Sequence, residues 1–171
     1  MNLKLSNKEL EFLEHSNFIE GVWDSKSLDD AVIAWTYLKG QKTLTDWVVC
    51  RTHQLLMRHQ DLPEDEKGKY RCHNVGVYHK GKLQKCPDWQ IVPSLMWKWL
   101  FEGSRVKPPI DAIRLHIDYE QIHPFADGNG RTGRMFLNWQ RIKILNKPIL
   151  VIREEDKEEY YSWFNKESYL S

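Results

Sequence analysis

Twelve consecutive residues, His123 to Arg134 (HPFADGNGRTGR), hold one imidazole, one carboxylate, one side-chain amide, two guanidinium groups and three glycines. Glycine inside a helix or strand costs about 0.5–1 kcal/mol relative to alanine. A stretch with three of them is better explained by a ligand outside the fold. That ligand should be anionic, approach the backbone closely and tolerate a metal ion. His123 suits a general base, because an imidazole of ordinary pKa near 6.5 is largely neutral at pH 7. Asp127 is a hard oxygen ligand of the kind Mg²⁺ takes together with phosphates. Gly128, Asn129 and Gly130 let the backbone reach phosphate oxygens, and the Asn129 amide can help to position them. Arg131 and Arg134 lie three apart on an opening helix, close enough to act together as forked phosphate donors. Phe125 reads as an apolar anchor for the loop. Base, metal ligand and anion clamp together point to phosphoryl or nucleotidyl transfer, a chemistry that runs on positioning and charge stabilisation.

Two other glycine patterns overlap this stretch. GNGRTG matches G-x-G-x-x-G, but the dinucleotide fingerprint needs a preceding strand within a βαβ series. Here QIHPFAD follows a helical pattern, and no such series is present. Gly128 and Gly133 have the separation of a P-loop, yet Arg134-Met135 stands where that loop requires Lys and Ser or Thr.

The elements that must position these groups read as mostly helical. Ser6 or Asn7 caps a helix through KELEFLEHSNFIE. Ser27 opens SLDDAVIAWTYLKG, with Gly40 as its stop. Thr43 or Thr45 opens LTDWVVCRTHQLLMRHQ, whose Val48, Val49, Leu55 and Leu56 recur at helical spacing. Pro63 to Lys69 reads as a charged loop. YRCHNVGVYHKGKLQKCP then breaks the pattern and reads as a short hairpin with Gly81 in its turn. Pro93 and Pro109 start two further helices, the second with Ile110, Ile113 and Ile117 on one stripe. RTGRMFLNWQRIKIL is helical again, PILVI is a brief strand or extended link, and EEDKEEYYSWFNKESYL closes the chain as an acid-started helix. The twelve residues thus join two helices, and a glycine-led helix start offers free N–H groups to an anion. Asn138 and Trp139, just beyond, have no assigned role.

Composition narrows the class. The 171 residues suffice for one domain with a core, and 41% apolar with 29% charged residues is ordinary for a globular chain. A net charge of +1 gives no basis for bulk attraction to nucleic acid. No apolar run is long enough to span a membrane, and the N-terminus lacks the apolar segment of a signal peptide, so the expected location is the cytoplasm. Three cysteines, Cys50, Cys72 and Cys86, at irregular spacing argue for reduced thiols rather than a disulfide framework or a zinc site.

HPFADGNGRTGR resembles the signature of the Fic family (filamentation induced by cAMP), H-x-F-x-[DE]-G-N-G-R-x-x-R, at every specified position. The resemblance implies a single domain over 1–171, a Fic-type helical bundle with a short β-hairpin flap at 74–84. It implies transfer of AMP from ATP to a protein hydroxyl, with His123 as base and Asp127 holding Mg²⁺ on the α- and β-phosphates. Gly128, Asn129 and Gly130 form the anion nest, and Arg131 and Arg134 hold the β- and γ-phosphates. Val75, Gly76, Val77 and Tyr78 match the family's flap, which pairs with the backbone of a target protein as an added strand. The Doc branch, which phosphorylates its target, lacks the GNG glycines at this point, so Gly128-Asn129-Gly130 favours nucleotidyl transfer.

Upstream, Ser16-Asn17-Phe18-Ile19-Glu20-Gly21 resembles the family's inhibitory motif, [ST]-x-x-x-E-[GN]. It implies an inhibitory helix at 6–22 whose Glu20 pairs with Arg134 and denies it to the γ-phosphate. Several readings stay open on the residues. The reaction can run in reverse, removing AMP from a modified protein. The transferred piece can be UMP or phosphocholine, since the motif fixes phosphates and not the base. A non-catalytic nucleotide-binding or toxin–antitoxin-like module is the rival of another class, and the presence of His123 argues against it. The expected partners are ATP and a target protein, with no nucleic acid and no membrane. A homo-oligomer is also compatible, as some relatives dimerise.

Overall fold

A computed structural model of the chain describes residues 5–79, 82–104 and 112–165. Among these, α1 (Asn7–Ile19), α2 (Ser25–Lys39), α3 (Asp46–Leu56), α4 (Val92–Gly103), α5 (Ala112–Ile122), α6 (Asn129–Lys143) and α7 (Lys157–Ser162) surround one core. Strands β1 (Gly76–His79) and β2 (Lys82–Lys85) form an antiparallel two-stranded sheet between α3 and α4. The mostly α class with a hairpin is thus observed. No helix among the described residues is long and apolar enough to cross a membrane.

Local chemistry sets the helix starts. Ser6 caps α1 in a reciprocal capping box with Glu9, and Thr45 caps α3. Asp24 caps α2, so this helix begins at Ser25, two residues before the expected Ser27. The reason is that Asp24 accepts the Ser27 N–H and thereby does the work expected of Ser27 itself. In α5 the core-facing stripe is Leu115, Tyr119 and Ile122; Ile117 is buried outside the main cluster and Ile113 is half-buried. The expected start at Pro109, and Ile110, lie outside the described residues. PILVI forms no strand. It runs extended, with Leu150 bonded through both backbone groups to the Asn138 amide at 2.8 and 3.0 Å. Trp139 belongs to the core.

α5 and α6 pack side by side at the centre, with Tyr119, Phe136 and Trp99 of α4 meeting edge-on or tilted at ring distances of 5.2–5.9 Å. The turn between these two helices is the first half of the motif, His123 to Gly128, and the second half opens α6. α1 crosses its far end. Phe12 and Leu13 of α1 are buried, with Phe12 edge-on to Trp35 at 5.4 Å. Burial of two such side chains contributes about 3–6 kcal/mol to docking this helix. Glu9 adds a polar lock: it accepts from Trp35 Nε1 at 2.9 Å and pairs with Lys39. Desolvation raises the Glu9 carboxyl, but bonds from Lys39, Ser6 and Trp35 outweigh it and hold the pKa at about 2.

The hairpin register pairs Gly76 with Lys85 and His79 with Lys82; Lys80 and Gly81, the latter expected in the turn, lie outside the described residues. Pairing starts one residue after the expected Val75 and runs to Lys85; Val75 contributes only its carbonyl, which accepts the Cys86 N–H at 3.2 Å.

Candidate active site

The motif turn is braced from several directions. His123 sits at φ +51°, a left-handed conformation that costs a non-glycine residue about 1–3 kcal/mol. Its N–H still bonds Tyr119 O at 3.0 Å, closing α5. Arg71, buried ahead of the hairpin, holds the strained turn. It donates from Nε to His123 O at 2.8 Å and from Nη2 to Ile122 O at 3.3 Å. Its other N–H groups reach His73 O at 3.0 Å and Pro87 O at 2.6 Å, so one guanidinium ties the base of the hairpin to the His123 backbone.

Asn129 closes the turn from inside. Its Oδ1 accepts Phe125 N–H and its Nδ2 donates to Phe125 O, both at 2.9 Å. The amide expected to position phosphates is therefore committed to the loop, and Asn129 can serve an anion only through its backbone. Phe125 is fully buried, as an anchor should be, and stacks on the His53 ring at 3.8 Å. His53 of α3 reaches the motif by hydrogen bonds as well. Its Nδ1 accepts Gly68 N–H at 2.8 Å, so Nε2 carries the proton and donates to Asp127 O at 2.9 Å. Burial pushes its pKa down to about 4, which keeps this tautomer neutral. Thr132 Oγ1 bonds Gly128 O at 2.9 Å and Tyr119 Oη at 2.8 Å.

Gly128 takes φ +77°, and a Cβ there would lie 2.6 Å from Met57 Sδ. Only glycine fits. The three amides that follow, on Asn129, Gly130 and Arg131, begin α6 and lack intrahelical acceptors. They face the positive end of a 15-residue helix, a place that favours an anion.

Two adjoining cavities meet at this helix start. The larger, about 860 Å³, is bordered by His123, Gly130, Arg134, Glu20 and the hairpin residues Val77 and Tyr78. The smaller, about 290 Å³, is bordered by Asp127 to Arg131, Gly76, His123 and Glu20. His123 touches both. Its burial, partly opposed by the backbone bond from Glu120, lowers its pKa below the ordinary imidazole value. It is therefore neutral and able to take a proton at pH 7. Its Nδ1 approaches Glu120 O at 3.3 Å. Asp127 is 61% exposed and bonds its own loop through the Gly128 N–H at 2.6 Å. An exposed single carboxylate beside free amides fits a cation that arrives with phosphate.

The two arginines, expected side by side, are drawn to different partners. Arg131 turns toward the end of α3, where Gln60 Oε1 accepts at 3.0 Å and Met57 Sδ at 3.4 Å; Asp127 Oδ2 lies 4.0 Å away. Arg134 turns the other way, to α1 and α7. Its side chain is 2% exposed. Nε donates to Ser16 Oγ at 2.9 Å, and Nη2 donates to Ser16 O at 2.8 Å and to Glu20 Oε1 at 2.7 Å. Nη1 donates to Tyr160 Oη at 3.1 Å. Glu20 is the last residue of the α1 cap, and Gly21 follows at φ +72°. Glu20 Oε1 occupies the space that a Cβ on Gly130 would enter. Thus Ser16 and Glu20, 114 or more residues away in the chain, meet Arg134 at the mouth of the motif.

Arg71, His53, Gln60 and Tyr160 carry no motif and were not among the expected site residues. His53 had a signal: with Thr52 it is one of two polar residues on the buried face that Val48, Val49 and Leu56 mark out. The other three had none.

A helical domain with a neutral, half-buried histidine, an anion-ready helix start and a paired arginine at one cavity defines a class of site suited to an anionic ligand. Residues 43–140 match the model of the Fic/DOC family, and the chain belongs to that family. It is similar to the "Protein adenylyltransferase Fic" of Nematostella vectensis, 26% identical over 159 residues, covering 90% of this chain and 34% of the relative. It is also similar to the protein of that name from Culex quinquefasciatus, 32% identical over 114 residues, 65% of this chain and 22% of the relative. The chain therefore spans about a third or less of these curated relatives. Among solved structures, a Fic domain-containing signaling protein from Bacteroides thetaiotaomicron superposes with a TM-score of 0.78 at 21% identity, over 90% of this chain and 69% of the other. Fic-1 from C. elegans superposes at 0.66 and 19% identity, over 94% and 58%. At these identities the structures show the shared fold.

Proposed function

We propose that the chain is a protein adenylyltransferase, moving AMP from ATP to a hydroxyl side chain of a target protein. The observation that carries this reading is the placement of His123: a half-buried, neutral imidazole at the junction of two cavities, one turn from an anion-ready helix start. His123 takes the proton of the incoming hydroxyl as its oxygen bonds the α-phosphorus, and pyrophosphate leaves with the electron pair of the broken P–O bond. The free N–H groups of Asn129, Gly130 and Arg131 donate to the phosphate oxygens, and Gly128 gives the turn the shape that presents them. Arg131 and Arg134 hold the outer phosphates once Arg134 is free. Asp127 would hold Mg²⁺, which supplies neutralisation of the triphosphate. Val77 and Tyr78 of β1 border the larger cavity, so a target segment paired to this edge would bring its hydroxyl toward His123.

Glu20 holds this activity down. In the observed pairing all of the Nη2 hydrogens and the Nε–H of Arg134 are engaged by α1. A γ-phosphate has no side-on edge of the guanidinium to grip, and ATP can settle only with its α-phosphate misaligned. Glu20→Gly raises AMP transfer at least tenfold, read by labelling with a tagged ATP in the presence of Mg²⁺. Labelling that stays at the wild-type level overturns the inhibitory role.

Glu20 borders the same cavities as His123, which supports a second reading in which its carboxylate orients water to release AMP from a modified protein. Incubation of a pre-adenylylated target with Mg²⁺ separates the two: release of AMP by the wild-type protein, lost in Glu20→Gly, favours the reverse reaction.

A further inference from the structure

Arg134 has one partner that α1 does not supply. Tyr160 lies on α7, beyond the 43–140 family match, and is 98 % or more withdrawn from solvent. Its hydroxyl accepts from Arg134 Nη1 at 3.1 Å, and its ring lies 5.4 Å from the guanidinium carbon. On the other side the same hydroxyl lies 2.8 Å from His116 Nε2. The proton count follows. Arginine can only donate, so the Tyr160 oxygen accepts on that side. In the tautomer of His116 that leaves Nε2 unprotonated, the hydroxyl proton goes to that nitrogen. A fully buried His116, neutral because burial and the nearby Arg134 lower its pKa to about 3, allows that tautomer. In that arrangement the Tyr160 oxygen faces Arg134 as an acceptor.

The partners divide the guanidinium in two. The Nε and Nη2 hydrogens face α1, whose grip depends on Ser16 and Glu20. The Nη1 corner faces α7. We propose that Tyr160, backed by His116, is a positioning residue for Arg134: it pins the Nη1 corner so that the opposite edge is presented in one orientation, whether to α1 or to an outer phosphate. Without this pin, release by Glu20 would free a long side chain with many rotamers, and binding would have to order it again. With it, release exposes a ready-made forked edge. The consequence for phosphate rests on the proposed function; the pinning itself does not.

The test uses the full chain carrying Glu20→Gly, labelled with ¹⁵N-arginine, with Arg134→Ala to identify the Arg134 signals. Tyr160→Phe keeps the ring and removes the hydroxyl. Hindered rotation of the Arg134 Nη1 group should speed up by about tenfold, as expected for loss of one charge-assisted bond. ATP affinity should fall about fivefold while AMP affinity is unchanged, since only the outer phosphates reach Arg134. His116→Gln, which retains an acceptor for the tyrosine hydroxyl, should keep the slow rotation. Nη1 rotation in Tyr160→Phe as slow as in its parent overturns the proposal, as does an equal loss of ATP and AMP affinity. If Arg134→Ala binds ATP as well as its parent does, the phosphate assignment fails instead, and the rotation measurement still decides the role of Tyr160.

Discussion

The motif turn and the hairpin border the same cavity and are built in opposite ways. The turn is buried and cross-braced: Asn129 bonds Phe125 twice, His53 and Thr132 hold its carbonyls, and Gly128 fits against Met57. The hairpin has two strands of four residues, with Tyr78 76% exposed and Leu83 54% exposed. A two-stranded sheet of this size has little stability of its own. The difference suits the two tasks proposed for these regions. Chemistry on a phosphate needs groups held within fractions of an ångström before the substrate arrives. Pairing with a target backbone needs only an open strand edge, which accepts many side chains. Arg71 joins the two, since it bonds carbonyls on both sides.

Substitutions that strike one region and spare the other test this contrast. The largest effect belongs to His123. In a Glu20→Gly background, His123→Ala should lower AMP transfer by about 10²–10⁴-fold, the range for loss of a positioned general base. The melting temperature should hardly move, because among the described residues the imidazole bonds only Glu120 O, and at a long distance. In the parent, the rate should fall on acidification with an apparent pKa below 6.5, following the lowered pKa of His123. A limb above 6.5 would assign the base elsewhere.

Arg71→Ala comes next and should damage both regions at once. It leaves four carbonyls without their donor, at a cost of about 3 kcal/mol in urea denaturation. Transfer should drop with it. A stable variant with full activity would show that the turn needs no tie to the hairpin.

Acid should loosen the buried frame before it affects the hairpin. His53 is lowered to about 4 and His116 to about 3, so the unfolded chain binds their protons first. Their contribution to stability is complete above the unfolded value near 6.5 and is lost as pH falls from there toward 4. The slope should approach about 1.4 kcal/mol per pH unit for each histidine. Below pH 4.5 the lowered carboxyl of Glu9 adds a loss of the same sign, which weakens the dock of α1. Glu120, pushed up to about 8 by burial, contributes with the opposite sign over this range, so the histidine part is read from ring NMR signals between pH 7 and 4.5; a ring that protonates at or above 6.5 contradicts its neutral, buried assignment.

The smallest effect on stability belongs to the hairpin. Tyr78→Ala removes a side chain that is mostly in water and should change stability by less than about 0.5 kcal/mol. ATP binding to the Glu20→Gly protein should be unaffected, while labelling of a target protein weakens. Equal loss of ATP binding would make the hairpin part of the nucleotide site.

The site was legible where chemistry is concentrated in a short span. His123, Asp127, Gly128, Gly130, Arg131 and Arg134 sit within twelve residues, and their types reveal an anion and a base before any fold is known. Ser16 and Glu20 were legible as a second short pattern, and the structure places both on Arg134. The braces were not legible. Arg71 acts on carbonyls 51 and 52 positions later, and Tyr160 acts on a guanidinium 26 positions earlier. Asn129 was misread because the sequence shows an amide and not where it points.

What the sequence determined alone was local: a helix start at Ser6 or Asn7 and another at Thr43 or Thr45, a hairpin over 74–84, and the chemical inventory of the motif. These follow from side-chain type and spacing, which act over a few residues. Tertiary structure decided the direction in which each charged group faces. Arg131 and Arg134 begin three residues apart on one helix and end at opposite partners, because a buried guanidinium goes where acceptors are packed around it, and those acceptors come from α1, α3 and α7.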